Sequence, residues 1–569
     1  MDNKGSEKKK EGEGSKKSPF DLIFSQIQRK KSDKGKSSIF QVKSFFKGFD
    51  KDAAKMENEK NEEELNQKSI SENQKSDSVV DGAKDEEDSD TSGWWKVTHF
   101  MEKFGKKADI HYMDLNNCEL TAVDIKKLGS LMPFLLDIEE INLSWNDLIG
   151  GSLKYMTPHF NHVSRLRILN LSNCGLTGDD SAVLGESLQY IPKLQILDLS
   201  WNNNLGGTLS RLAQHLADNC EIKTLSLTEC SLTAEDIESL APVIGKMTRL
   251  EILDLSENKE LGSKIKNLTE ELKHCSCLNV LKLRSTGLHQ DTVQYLSSAF
   301  QYWPYLRKLD LSCNKTAGGG FGESAVCLTA FKQLELLDIH QCCLSGDDVT
   351  ALTQVIPLLS NLQALDISSN KTVGLSQEHL FSRLRFLPKL KSVNVSNCML
   401  KKESFAGLAE ATRYLTDLQM LDLSWNKCIG GNLKLLTETL HSANSLQSLL
   451  LSSCNLVTQD LAVLASAAQA SHLDSLQQLD LAYNDTVPDE GWSLLFESVP
   501  ALKNITELDI SLRPASTRNC GPWFIHLLSN IPKLPMLKEL GMQRWALSTA
   551  EQQQLNRIHR ENNISIHFD

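Results

Sequence analysis

Long hydrophobic runs are missing from this sequence of 569 residues: nowhere do about 18 apolar residues follow one another, the length a membrane-crossing helix needs. The opening "MDNKGSEKKKEGEGSKK" is charged where a secretory leader is apolar, so export is not expected either. Aromatic residues are scarce at 6%, while 40% of residues are hydrophobic and leucine carries most of that weight. Such a bias favours a repeated leucine lattice over several mixed cores. The expectation is a soluble, cytoplasmic chain whose 14 cysteines are reduced thiols. Without export, the Asn-X-Ser/Thr triplets at Asn142, Asn170 and Asn394 carry no expectation of glycosylation.

Signatures of chemistry are missing too. "GKSS" at 35–38 lacks the earlier glycine and the preceding strand of a phosphate-binding loop. His340 stands on the stretch "LDIHQC" at an outward position, but no G-x-S-x-G pattern accompanies it, and a lone outward histidine reads as a surface residue. Cys275 with Cys277, and Cys342 with Cys343, have no second pair at zinc-binding spacing. No catalytic residue, metal or cofactor is expected, and an enzyme is the disfavoured class.

Charge divides the chain into three parts. Residues 1–51 hold 14 Lys+Arg against 7 Asp+Glu, residues 52–92 hold 5 against 14, and the remainder carries −10 of the total −12. Residues 1–92 have too little apolar surface to offset the entropy of ordering and are expected to be a disordered arm, basic over 1–51 and acidic over 52–92. Within it, "SPFDLIFSQIQRKK" and "SSIFQVKSFFKGF" mix Phe20, Ile23, Phe24 and Phe45 with basic residues, so 18–49 is a candidate for weak contact with a membrane surface or a partner groove. "RKKSD" around Ser32 fits a basophilic phosphorylation pattern. "SGWWKVTHFMEKFGKK" predicts a capping helix over 93–109.

From residue 110 onward the pattern L-x-x-L-x-L-x-x-N/C-x-L recurs. Its opening residues fall at 110, 138, 166 and so on to 446, in twelve steps of 28, followed by irregular copies at 476, 505 and 537. In each copy the first, fourth and sixth positions bury apolar side chains from a short strand, the ninth turns the chain inward, and about 15 residues of helical periodicity return it. One unit cannot bury its own apolar side, but stacked units share a continuous core. Sixteen parallel strands at about 4.8 Å would follow about 75 Å of inner arc. The ninth position alternates. Cys118, Cys174, Cys230, Cys342, Cys398 and Cys454 hold it in one set, with Thr286 the exception, and Asn146, Asn202, Asn258, Asn314, Asn370, Asn426 and Asn484 in the other. Successive cysteines of this set lie two strands apart, about 9.6 Å, too far for a disulfide. They are expected to be buried packing thiols.

Alternating "LSxN" and "LSxC" copies with helices such as "LTGDDSAVLGESLQYIPKLQ" resemble the ribonuclease-inhibitor class of leucine-rich repeats, which also supplies the C-terminal sensor region of NOD-like receptors. The resemblance covers 110 to about 550 and implies an α/β solenoid, a horseshoe with a parallel concave sheet and convex helices. In that class acidic and aromatic residues of the concave side grip a basic enzyme, which implies a mode of binding here. The nucleotide-binding module of the sensor proteins is absent from the sequence.

Side chains at the third, fifth and seventh positions must face out of the sheet. The fifth position is aspartate in nine of fifteen copies, among them Asp198, Asp254, Asp310, Asp338, Asp366, Asp422 and Asp480. A column of carboxylates repels itself unless hydroxyls, water or a partner compensate, and it would steer a basic partner. Trp145, Trp201 and Trp425 share the eighth position, with Tyr483 in the corresponding place, so all four line one rim. Each indole is followed five residues later by a glycine pair, Gly150–Gly151, Gly206–Gly207 and Gly430–Gly431, which raises the alternative that the ring covers its own bare loop. The expected function is a non-enzymatic intracellular scaffold that holds a protein or peptide, with a basic surface, against this wall. Alternatives are an inhibitor of a basic enzyme such as a secreted-type ribonuclease and a self-assembling sensor. Nucleic acid is not expected on the acidic body.

Overall fold

The computed structural model describes residues 111–216, 221–377, 379–440 and 444–569. The arm expected over 1–92 and the capping helix expected over 93–109 lie outside the described residues. His111–Asp569 forms one compact unit.

Within this unit the leucine lattice produces a parallel sheet. Each strand is three residues long, the third to fifth positions of a repeat, and each pairs with the strand of the next repeat in a fixed register: Leu169 with Leu197, Leu197 with Leu225, and so on. The middle residue of each strand points into the core, and Leu169, Leu197, Leu225, Leu253 and Leu281 are all fully buried. Three-residue strands have no stability of their own, so the shared core holds the ladder together. Seventeen strands form it, from Tyr112–Asp114 to Ser565–His567, one more than the sixteen the pattern predicts. The extra strand pairs Leu540 with Ile566. "ISIHFD" has no leucine repeat after it, and only the pairing partner reveals it. Neighbouring strands sit about 4.8 Å apart and neighbouring helices about 8–10 Å, so the stack bends with the sheet on its inner wall.

The returning segments differ between the two alternating kinds of repeat, where sequence periodicity predicts a uniform helical stretch. Repeats with the ninth-position cysteine carry α-helices such as Gly178–Ser187, Ala234–Lys246 and Gly346–Val355. Each starts at a Thr or Ser whose side chain meets an Asp three residues on, a reciprocal cap that satisfies exposed amides of the first turn. Several repeats with the ninth-position asparagine lack that cap and return through short turns, as at Asp147–Ile149, Leu153–Tyr155 and Thr157–His162.

Asparagine at the ninth position ties consecutive repeats together. Asn202 is buried, accepts the amides of Cys174 and Leu176 on Oδ1 at 3.0 Å each, and donates to the carbonyls of Leu171 and Leu199 at 2.9 and 2.8 Å. Asn258, Asn314, Asn370, Asn426 and Asn484 repeat the pattern. Five cysteines of the other set answer it: Cys174, Cys230, Cys342, Cys398 and Cys454 are fully buried, and each thiol donates to a carbonyl of the preceding repeat at 3.2–3.4 Å. Cys118, expected to be buried with them, is only half-buried and donates to the nearby carbonyl of Asn116 at 3.4 Å. At the exception, the Thr286 hydroxyl donates instead within its own repeat, to the carbonyl of Leu283 at 2.7 Å. Past the regular repeats an aromatic cluster closes the core, with Trp523 and Trp545 edge to face at 4.8 Å and Trp492 and Phe496 packed beside them. Among the described residues no helix is long and apolar enough to cross a membrane.

Candidate functional site

The chain must turn sharply at the end of each strand, and the eighth residue absorbs that turn. It is left-handed in repeat after repeat: Asn173 at φ 49°, Glu257 at 60°, Ser369 at 55°. The three tryptophans take the same conformation, at 61°, 63° and 62°, and Tyr483 does so at 62°. A left-handed backbone is costly for a bulky side chain. It also throws the side chain outward at the carboxyl edge of the sheet, while the amide keeps its ladder bond, Trp425 N–H to the carbonyl of Ser452 at 2.7 Å. Trp145, Trp201 and Trp425 remain 55%, 39% and 54% exposed. Tyr483 is half-buried, its ring 6.3 Å from that of Trp425 at 55°.

The glycine pairs serve the backbone. A methyl on Gly150, Gly206 or Gly430 would come within 2.0 Å of a carbonyl oxygen in the next repeat. Gly151, Gly207 and Gly431 are left-handed at 75° to 77°, and their amides donate to the buried cap carboxylates Asp180, Asp236 and Asp460 at 2.5–2.7 Å. A methyl on Gly151 or Gly431 would meet nothing within 4 Å, so no indole is bedded there. The pairs therefore have their own structural cause, and Asp180, Asp236, Asp348 and Asp460 are residues that sequence reasoning passed over. For Asp180, Asp236 and Asp348 the signal is the S/T-x-x-D spacing; Asp460 follows Val457 and lacks it.

The aspartate column faces the open side of the sheet but is tied down. One oxygen of each accepts the amide two residues on: Ser200 to Asp198 at 3.0 Å, Ser256 to Asp254 at 3.1 Å, Ser368 to Asp366 and Ser424 to Asp422 at 2.9 Å, and Ala482 to Asp480 at 2.8 Å. Lys282 pairs with Asp254 at 3.0 Å, and Arg284 with Glu257 at 3.1 Å, which gives their strand its separate character. Asp310 is buried and also accepts the Ser312 hydroxyl at 2.6 Å. Burial first, and the neighbouring Asp338 carboxylate next, push Asp310 and Asp366 above the usual carboxylate range. Burial likewise raises Asp198, and lifts Asp480 to about 6.

At the middle of the wall the structure corrects the reading of His340 as a lone surface residue. Its side chain is only 19% exposed, Nδ1 lies 2.7 Å from Oδ1 of Asp338, and Nε2 lies 3.1 Å from Sγ of Cys313 on the preceding repeat. Cross-strand register brings these groups together, and the sequence distance of 27 residues hides it. Burial is the largest influence on His340 and opposes its charge, but the bonds to Asp338 and Cys313 and the charges of Asp338 and Asp366 outweigh it and raise the imidazole to about 11. Asp338, His340 and Asp366 offer donor atoms within 4.8 Å of one another. Those atoms are already engaged, with Asn394 donating to Asp366 at 2.9 Å, so the group stands as an ion-pair network.

The Leucine Rich Repeat family models match residues 165–186 and 190–208. The chain is 28% identical over 381 residues to the ribonuclease inhibitor of Mus musculus, covering 65% of this chain and 82% of that protein. It is 29% identical over 250 residues to NACHT, LRR and PYD domains-containing protein 12 of Homo sapiens, covering 42% of this chain but 23% of that protein. Among solved structures, an internalin of Listeria monocytogenes aligns at 16% identity and a TM-score of 0.42, over 69% of this chain and 95% of that one.

Proposed function

We propose that this chain, whose leucine-rich repeats are similar to those of the ribonuclease inhibitors, is a non-enzymatic scaffold that holds a protein or peptide partner against the open face of its sheet. The tryptophan rim supplies contact, and the carboxylate column favours a partner with a basic surface.

The observation that carries the reading is where the indoles sit. Trp145, Trp201 and Trp425 occupy a backbone position that penalises bulk, and 39–55% of each residue stays exposed. Asparagine, serine and glutamate fill the same place in other repeats at smaller conformational cost. Three such choices along one edge serve contact with something outside the fold. The aspartates contribute less than a free column would, because each already binds a backbone amide. Their combined field survives that bonding and fades with salt.

The test compares partner capture by the full chain and by a triple variant, Trp145→Ala, Trp201→Ala and Trp425→Ala, at low and high salt. Loss of capture by the variant, with weaker capture by the parent chain at high salt, is the expected result. Equal capture by both proteins would remove the proposal. A second reading, an inhibitor of a basic secreted-type ribonuclease, draws on the likeness that spans 82% of the mouse ribonuclease inhibitor. Unchanged turnover of such an enzyme in the presence of the chain eliminates that reading and leaves the scaffold standing.

A further inference from the structure

We propose that Cys313, His340 and Asp338 form a reactive-thiol site, at which low-molecular-weight disulfides modify Cys313 in preference to the more exposed cysteines of the chain.

The geometry is that of a nucleophile held by an oriented imidazole. Sγ of Cys313 lies 3.1 Å from Nε2 of His340, and Nδ1 of the same ring lies 2.7 Å from Oδ1 of Asp338, whose oxygen also accepts the His340 amide at 3.0 Å. Asp338 is thereby fixed on both sides of its contact, and the ring cannot swing away from the sulfur without losing that bond. This is the third-group logic of activated nucleophiles: sulfur, imidazole, and a carboxylate that orients the imidazole. Cys313 occupies the eighth position of its repeat, left-handed at φ 58°, so its sulfur is turned out at the same sheet edge as the tryptophans. It is half-buried, reachable by a small molecule yet flanked by fixed groups.

The surroundings matter because a sulfur attacks as an anion. Facing it are the His340 imidazolium and the Arg284 guanidinium, the latter close enough to interact with Cys313 electrostatically and itself paired with Glu257 at 3.1 Å. On the other side of the balance stand Asp310 on the strand before, Asp338 on the strand of His340, and Asp366 on the strand after. Asp310 and Asp366 are raised to about 6 by burial and by Asp338, so both stay largely charged at neutral pH and the two cations must outweigh them at the sulfur. The Cys313 thiol also points toward Oε1 of Gln341, which accepts from it at 3.4 Å. The two fixed cations are what an exposed cysteine lacks.

The other thiols provide the contrast. Cys174, Cys230, Cys342, Cys398 and Cys454 are fully buried and donate to carbonyls, an arrangement for packing. Cys277 and Cys343 are exposed, and Cys313 is the cysteine, among the described residues, recorded against an imidazole. In the reaction the Cys313 sulfur attacks one sulfur of a disulfide R–S–S–R′. A new bond forms to Cys313, the original sulfur–sulfur bond breaks, and the departing sulfur leaves as R′SH carrying the proton that the Cys313 thiol has lost. Cys313 is oxidised and the departing sulfur reduced, so no further oxidant is required. The imidazolium stabilises the charge on the sulfur as it attacks.

The test exposes the full chain to limiting glutathione disulfide and maps adducts over time by peptide mass spectrometry. Cys313 is expected to carry the adduct first, and His340→Asn is expected to slow that site about tenfold while leaving Cys277 and Cys343 at their parent rates. Asp338→Asn should slow it by less, since the ring keeps a hydrogen-bonding neighbour without the full charge. Because the internal comparison among three cysteines uses the unaltered protein, the outcome does not depend on any variant folding. Modification of Cys277 or Cys343 ahead of Cys313 in the parent chain overturns the proposal, as does an unchanged Cys313 rate in folded His340→Asn.

Discussion

The amide of Cys174 donates to Oδ1 of Asn202 at 3.0 Å, one repeat of 28 residues away. The same oxygen takes the amide of Leu176, and the Asn202 side-chain amide bonds the carbonyls of Leu171, Leu199 and Ser200. One buried side chain thus satisfies two amide donors and, with its two N–H hydrogens, the carbonyls of Leu171 and Leu199, while Ser200, farther at 3.2 Å, also accepts the Asn173 amide. Asn202→Ala should lower stability by about 3 kcal/mol or more, since each stranded buried group costs about 1–3 kcal/mol. Asn202→Asp keeps the acceptor and loses the donor, and should also destabilise at neutral pH. Denaturant midpoints check both, and a loss under about 1 kcal/mol for the alanine variant would contradict the accounting.

The adjacent glycines separate two physical causes. Gly206→Ala places a methyl 2.0 Å from the carbonyl oxygen of Ser231, which is backbone and cannot rotate aside. A loss of about 2–4 kcal/mol is expected. At Gly207 the problem is conformational, φ 75° with the Thr233 methyl a comfortable 3.9 Å away, so alanine should cost about 1–2 kcal/mol. Paired melting curves that reverse this order would show that close approach is not what the first glycine provides.

A rise in pH should destabilise the fold through two different residues, in two different ranges. Asp480 is raised by burial from 3.8 to about 6, so its folded form binds a proton more readily than its unfolded form. The penalty for its charge is absent below pH 3.8, grows through about 6 and is complete above it. His340 is raised from 6.5 to about 11, so its contribution is fully present below pH 6.5 and is lost as pH rises towards 11. Asp480→Asn should therefore raise the melting temperature at pH 8 relative to pH 4, while His340→Asn should lose its deficit only at strongly alkaline pH. Equal effects of Asp480→Asn at the two acidities would argue against a raised carboxyl.

Particular residues show what could be read before the fold was known. The 28-residue step places Leu169, Leu197 and Leu225 on one buried row, because a stack of identical units admits no other register. The outward place of the tryptophans follows from the same count. Their left-handed backbone does not, because only the closed turn shows which residue absorbs the reversal. Cys313 and His340 were illegible for a related reason: each is ordinary in its own repeat, and only the neighbouring strand makes them a pair. The strand Ser565–His567 was missed because its pairing partner, and not its own sequence, defines it.

Trp201 brings the fold and the proposed contact surface into opposition. Its φ of 63° is a conformation that asparagine adopts more cheaply, and asparagine stands at the equivalent Asn173 and Asn397. The indole is 39% exposed, so replacing it forfeits about 2 kcal/mol of burial while relieving about 1 kcal/mol of backbone strain. Trp201→Asn should therefore leave stability within about 1 kcal/mol of the parent. If the rim is a contact surface, the same change should weaken partner capture markedly, because a central aromatic anchor typically contributes about 2 kcal/mol or more. Stability and capture measured on one preparation settle which role the residue serves. A large loss of stability with capture intact would make the indole a structural element after all, and the rim would lose its claim to bind.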